Sequence, residues 1–124
     1  ARSLAPRIKL IGVEPEGADD AYRSLQAGKL MPQASNNTIA DGLRATLSER
    51  TFGILRTHDC HIVTVSESAI VEGMRFVWER MKIIIEPSAA VTVASLLENK
   101  IEISSKRVGV ILSGGNVDLD HLPW

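Results

Sequence analysis

Ile62-Val63-Thr64-Val65-Ser66-Glu67 decides the fold class. The first four residues are apolar or β-branched and suit a strand. Ser66 is a favourable helix N-cap, and Glu67 in the first turn complements the helix dipole. Ile70, Met74, Val77, Trp78 and Met81 then fall on one face at helical spacing. Ile83-Ile84-Ile85 continues apolar to Glu86-Pro87. Pro87 suits the first position of a second helix over 87–98, with Ala90, Val91, Ala94 and Leu97 facing inward.

Outward from this strand–helix unit the pattern repeats. Ile8-Lys9-Leu10-Ile11-Gly12-Val13, between Pro6 and Pro15, reads as a buried strand with Lys9 inside it. Residues 18–27 read as a helix with acids in its first turn and Gly28 as its stop. Residues 32–38 are loop-like, and a short helix with weak periodicity is expected within 46–57. Lys106-Arg107 leads into Val108-Gly109-Val110-Ile111-Leu112, a third buried strand ending in Ser113-Gly114-Gly115-Asn116. Short apolar strands alternating with helices predict an α/β fold: a partial parallel sheet flanked by helices. Such a thin sheet leaves an edge bare. Together with an opening, Ala1-Arg2-Ser3, that has no initiator Met, this suggests the latter part of a larger fold.

Composition narrows the function classes. Among 124 residues, 14 are basic and 15 acidic, a net charge of -1. That balance gives no electrostatic reason to expect nucleic acid or an anionic membrane surface. Apolar residues are 44% and charged residues 23%, ordinary for a globular domain. A single cysteine excludes an internal disulfide framework and fits a reducing compartment. No apolar run approaches the ~18 residues of a membrane span, and the opening lacks a signal peptide's apolar stretch.

In open α/β sheets ligands bind beyond the carboxyl ends of the strands. The first strand ends Glu14-Pro15-Glu16-Gly17-Ala18-Asp19-Asp20. Carboxylates at the strand end and at the next helix start can converge with a turn carbonyl into an oxygen-rich pocket for Mg²⁺ or Ca²⁺. The plainer alternative is a helix N-terminus favoured by Asp19 and Asp20, with Glu14 solvated. Ser113-Gly114-Gly115-Asn116 offers glycines for close backbone approach and polar side chains for hydrogen bonds, or a plain tight turn. It is not G-x-G-x-x-G, and no P-loop pattern occurs. His58-Asp59-Cys60-His61 invites a zinc reading, but adjacent ligands seldom converge on one tetrahedral ion, and nothing orients a base for Cys60. Lys9, Lys29, Lys82, Lys100 and Lys106 include none marked out for covalent chemistry. Trp78 reads as core and Trp124 as a terminal contact.

Five segments, in order over essentially the whole chain, resemble one family: Glu14-Pro15-Glu16-Gly17-Ala18-Asp19-Asp20, Thr38-Ile39-Ala40-Asp41-Gly42, Val77-Trp78-Glu79-Arg80-Met81-Lys82, Ile85-Glu86-Pro87-Ser88-Ala89 and Leu112-Ser113-Gly114-Gly115-Asn116-Val117-Asp118-Leu119. The family is that of serine racemase and threonine dehydratase, fold-type II enzymes related to tryptophan synthase β that use pyridoxal phosphate (PLP). The Trp78–Lys82 and Ser113–Leu119 segments favour its eukaryotic-type racemase branch.

The resemblance implies that the Schiff-base lysine, the opposing serine base and the glycine-rich phosphate loop all precede the segment seen here. Residues 1–124 would then be the C-terminal part of the large domain, with no catalytic residue of their own and no activity alone. It implies that the Ser113 hydroxyl meets the pyridine nitrogen of PLP. A neutral hydroxyl cannot hold that nitrogen protonated as an aspartate would, which leaves a weaker electron sink suited to racemisation or loss of a β-hydroxyl. Gly114 and Gly115 would keep the approach open, Gly42 would lie near the ring, and Glu86 would be a further neighbour. Glu14, the Ala18 carbonyl and Asp20 match a divalent-cation site for Mg²⁺, Ca²⁺ or Mn²⁺, structural and activating in role. Lys82 and Asn116 match positions that bind a nucleotide effector, ATP, in animal enzymes. The substrate would be serine, with threonine a further candidate, and the intact protein a cytoplasmic homodimer. Segment 58–61 departs from the family, where a valine and two acids are usual, and Ala34-Ser35-Asn36-Asn37 is not diagnostic. The rival reading is a non-catalytic α/β binding or interaction module that associates through exposed sheet edges.

Overall fold

The computed structural model describes residues 3–124; Ala1 and Arg2, with which the opening lacking an initiator Met begins, lie outside the described residues. Two parallel strands, β1 (Ile11–Pro15) and β2 (His61–Val65), pair in register from Ile11 opposite His61 to Pro15 opposite Val65. The crossover between them carries α1 (Asp20–Ala27), a 3-10 turn (Asp41–Leu43) and α2 (Glu49–Thr57). After β2 come α3 (Glu67–Phe76), a π-helical turn (Val77–Met81) and α4 (Pro87–Leu97). This is the expected α/β arrangement, helices against a parallel sheet.

Local chemistry explains the boundaries. Ser66 caps α3 by accepting the Ala69 N–H, and its hydroxyl donates to Glu98 Oε1 at 2.6 Å, tying the start of α3 to the end of α4. Pro87 opens α4, and Gly28 ends α1 in the left-handed region at φ 68°. Ser48 and Thr51 form a capping box for α2, whose weak periodicity matches its one buried residue, Phe52. The main core joins Val65 of β2, Ala69, Ile70 and Met74 of α3, and Ala89, Ala90, Val91 and Ala94 of α4, with Ala40, Val77 and Ile85 between them. A Cβ on Gly73 would lie 3.2 Å from the Ala94 nitrogen and 3.3 Å from the Ala90 carbonyl oxygen. Glycine there lets α3 and α4 approach closely.

Several expectations need correction. Val108–Leu112 is not a buried strand. It forms no ladder, and Ile111 is 77% exposed. An apolar run becomes a strand only beside a backbone that can take its hydrogen bonds, and no described segment lies alongside as a ladder partner; Leu112 alone packs on the core. The first strand runs 11–15 rather than 8–13, because its partner begins at His61, and exposed Lys9 precedes it. Helix α1 starts at Asp20, since residues 15–18 are spent on a turn closed by the Ala18 N–H and the Pro15 carbonyl. Met81 leaves the apolar face and is 52% exposed, because π-helical winding rotates it off the stripe. Leu97, in the last turn of α4, is 36% exposed rather than inward.

Candidate functional site

Of the residues singled out, Glu14, Ala18 and Asp20 lie at the carboxyl end of β1, where an open α/β sheet binds ligands, while Gly42, Gly114 and Asn116 are brought together at the start of α4. At the opposite ends of the strands an open cleft of ≈ 450 Å³ is lined by Arg7, Lys9, Asp59, Cys60 and His61, among others. It lies away from the Glu14 and Glu86 clusters.

One cluster is a wall built by the start of α4, the 3-10 turn and the segment after Leu112. Glu86 is its centre. Its N–H donates to the Gly114 carbonyl at 3.3 Å, and its Oε2 accepts the Asn116 N–H at 2.9 Å. Gly114 has φ +88°, a conformation that L side chains rarely adopt. A Cβ on Gly114 would sit 2.6 Å from Glu86 Cδ, and one on Gly115 would sit 3.0 Å from the Ile84 carbonyl oxygen. The packing of the wall by itself favours glycine at both positions. Gly42 is brought to the same place: its N–H donates to Ser88 Oγ at 3.0 Å, and its missing Cβ would lie 3.9 Å from Glu86 Oε1. Ser113 is exposed at the edge of this wall. An exposed hydroxyl beside bare backbone is a donor set that suits a neutral aromatic nitrogen.

The second cluster surrounds Glu14. Its Oε2 accepts the Tyr22 N–H at 2.8 Å and its Oε1 the Ala21 N–H at 3.3 Å. Both N–H groups lie in the first turn of α1, where the helix itself offers no acceptor, so Glu14 supplies one and the Ala18 carbonyl takes neither bond. Burial pushes the Glu14 carboxyl above the ordinary glutamate range, its two backbone hydrogen bonds oppose the rise, and the nearby Asp20 and Asp19 add to it. Asp20 is 2% exposed, and its Oδ2 accepts the Leu47 N–H at 2.6 Å. Asp20 thus lies near enough to Glu14 to disfavour its ionised form. Among the described residues no three His, Cys, Asp or Glu side chains are arranged to hold an ion. A cation here would draw on two carboxylates, main-chain oxygen and water, a donor set that fits Mg²⁺ or Ca²⁺.

Lys82 and Asn116 are both exposed, Asn116 within the wall through its N–H and Lys82 at the end of the π-helical turn. The Lys82 ammonium donates to the Glu79 carbonyl at 2.7 Å, and Lys82 ends the π-helical turn at φ 58°. In the segment 58–61, Asp59 takes φ 47°, His61 opens β2, and Cys60 Sγ lies 3.8 Å from the His61 carbonyl.

Reading the sequence missed three residues. Ser88 anchors Gly42. Glu67 accepts the Ile39 N–H at 2.9 Å and holds the segment that leads to Gly42. Leu47 gives its N–H to Asp20. Ser88, at the second position of α4, carried the only sequence signal, a hydroxyl just inside a Pro-initiated helix; the Glu67 and Leu47 contacts span 28 and 27 residues and leave none.

A parallel sheet flanked by helices, with polar groups at the end of β1 and at the start of α4, is the architecture of an α/β enzyme segment. The chain belongs to the pyridoxal-phosphate dependent enzyme family, whose model matches residues 1–114. It is 46% identical over 122 residues to the β-hydroxyaspartate dehydratase of Paracoccus denitrificans, covering 98% of this chain and 39% of that protein. It is 47% identical over 126 residues to the serine racemase of Dictyostelium discoideum, again covering 98% of this chain and 39% of that one. The structure of maize serine racemase matches it with a TM-score of 0.89 at 41% identity, covering 97% of this chain and 38% of that one. The chain thus spans about two fifths of the length of the curated relatives it matches. Among the described residues, no helix is long and apolar enough to cross a membrane.

Proposed function

We propose that residues 1–124 are the C-terminal part of the large domain of a PLP-dependent enzyme that racemises serine and eliminates ammonia from serine or threonine. The observation that carries this reading is the convergence of Gly42, Glu86 and Gly114 on one wall with the Ser113 hydroxyl exposed at its edge. When bound, PLP supplies a conjugated ring that draws electrons from the substrate's Cα. Ser113 meets the ring nitrogen with a neutral hydroxyl and imposes no charge on it. Gly42, held by Ser88, and Gly114, held by Glu86, complete the rigid backbone behind it. The groups that move protons lie on the part of the protein that precedes this chain.

Glu14, the Ala18 carbonyl and Asp20 hold a divalent cation, Mg²⁺ by preference and Ca²⁺ or Mn²⁺ in its place. The high Glu14 carboxyl pKa and the crowding of Asp20 support it, because a cation relieves both. Its role is structural and activating, as it sits on the turn after β1 rather than on the cofactor wall. Lys82 and Asn116 receive a nucleotide such as ATP, and the intact protein works as a cytoplasmic homodimer.

The similarity to β-hydroxyaspartate dehydratase favours a second substrate reading, β-hydroxyaspartate in place of serine. Both substrates carry a hydroxyl on Cβ. One experiment tests these readings: grafting the 124 residues in place of the matching part of the Dictyostelium serine racemase. D-Serine formed from L-serine, with 2-oxo acid released from L-serine or L-threonine, is the expected result. Release from β-hydroxyaspartate alone selects the second reading. A folded graft that binds PLP and turns over none of these substrates refutes both.

A further inference from the structure

We propose that Glu86 is a positioning residue that sets where the Ser113 hydroxyl points, acting through Gly114 and Asn116 rather than by touching the ring. This rests on the reading of Ser113 as the ring-nitrogen contact. Glu86 occupies the N-cap of α4, where a carboxylate would ordinarily accept one of the helix's unpaired N–H groups. It caps nothing there. Its Oε2 instead accepts the Asn116 N–H, while its own N–H donates to the Gly114 carbonyl. The two bonds bracket the turn immediately after Ser113, and the carboxylate fills the space that a side chain on Gly114 would need.

Upstream, Ser113 is held by Leu112, which packs on the core. Ser113 therefore hangs between two anchors, and Glu86 is the downstream one. The other oxygen, Oε1, lies 3.9 Å from where a Cβ on Gly42 would sit, so the side chain stands between the two halves of the wall. An acceptor of this length is what the geometry requires. Glutamine supplies it; aspartate is a methylene short, and alanine has none.

The first test is amide hydrogen exchange of these residues within the graft described above. Glu86→Ala should speed exchange at Asn116 about 10-fold or more, the weight of a hydrogen bond to a charged acceptor. Glu86→Gln should stay within about 3-fold of wild type, with β2 and α3 amides unchanged in both. Unaltered Asn116 exchange in Glu86→Ala overturns the proposal. The second test uses the graft described above and reads PLP affinity and the coenzyme's absorption maximum. Glu86→Ala should weaken binding and shift the maximum, as Ser113→Ala does, and Glu86→Gln should restore both. A shift with Ser113→Ala but none with Glu86→Ala defeats the positioning role and leaves the Ser113 contact standing. No shift with either defeats the Ser113 contact itself and the proposal with it.

Discussion

Asp20 Oδ2 accepts the Leu47 N–H at 2.6 Å across 27 residues of sequence, from a carboxylate that is 2% exposed. The bond ties the turn after β1 to the far end of the segment that begins at Thr38 and passes through Gly42. At its near end that segment is held by Glu67 at Ile39 and by Ser88 at Gly42. Arg44 stiffens its middle by donating to the Thr38 carbonyl at 2.6 Å. The proposed cation pocket and cofactor wall are thus joined by one strap with fixed ends.

The first prediction separates the two jobs of Asp20. Asp20→Ala should lower stability by about 1–3 kcal/mol, because the Leu47 N–H loses its acceptor in a buried place. Asp20→Asn keeps an oxygen there and should cost less than about half as much. Both should abolish stabilisation by Mg²⁺. Urea midpoints with and without Mg²⁺ measure all four values; equal losses in the two variants would show that the hydrogen bond is not what Asp20 supplies.

Glu14 predicts a pH dependence of opposite sign to that of most carboxylates. Burial, aided by Asp20 and Asp19, raises its pKa in the folded chain above the unfolded one. Between those two values the folded state binds more protons, so stability falls as pH rises. The Glu14 contribution is complete below the unfolded pKa and gone above the folded one. Glu14→Gln should flatten this decline. A bound cation favours the ionised form, so Mg²⁺ should remove or invert the slope in wild type and leave Glu14→Gln unaffected. Calorimetric Tm values across this acid range decide it; a wild-type slope that ignores Mg²⁺ would remove Glu14 from the cation site.

Gly114 carries two separable demands. Its φ of +88° strains any L side chain, and a Cβ would also strike the Glu86 carboxylate. Gly114→Ala should cost about 1–2 kcal/mol from the backbone alone, plus the clash. Adding Glu86→Ala should recover the clash but not the backbone cost, so the double variant should be more stable than the two losses summed. Additive urea midpoints would mean that the carboxylate does not lie against Gly114 in solution.

What could be read from the sequence divides along a physical line. Ser66, Pro87 and Gly28 act within one turn of themselves, and each does what its residue type predicts. The apolar stripe through Ile70, Met74 and Val77 holds for the same reason and fails at Met81, where the winding changes for reasons no spacing encodes. Val108–Leu112 shows the limit from the other side: its composition is that of a strand, but a ladder needs a neighbour that the residues themselves cannot supply. The family motifs marked the wall at Glu86 and Ser113. The bonds that assemble it, from Ser88 to Gly42 and from Glu86 to Asn116, span 46 and 30 residues and became visible only in three dimensions.

Trp78 supports the wall from behind, and its removal should be felt there. Its indole N–H donates to the Ile85 carbonyl at 2.9 Å, and its ring meets Trp124 edge-on with centroids 5.4 Å apart. Ile85 is buried and directly precedes Glu86. Trp78→Phe keeps an aromatic ring but strands a buried carbonyl, a loss of about 1–3 kcal/mol. Trp124→Ala removes the ring pair alone, a loss of about 0.5–1.5 kcal/mol beyond the area it uncovers. Because only the first change loosens Ile85, only Trp78→Phe should speed amide exchange at Asn116, two links away through Glu86. Equal exchange at Asn116 in the two variants would mean that the indole bond does not brace the segment that carries Glu86.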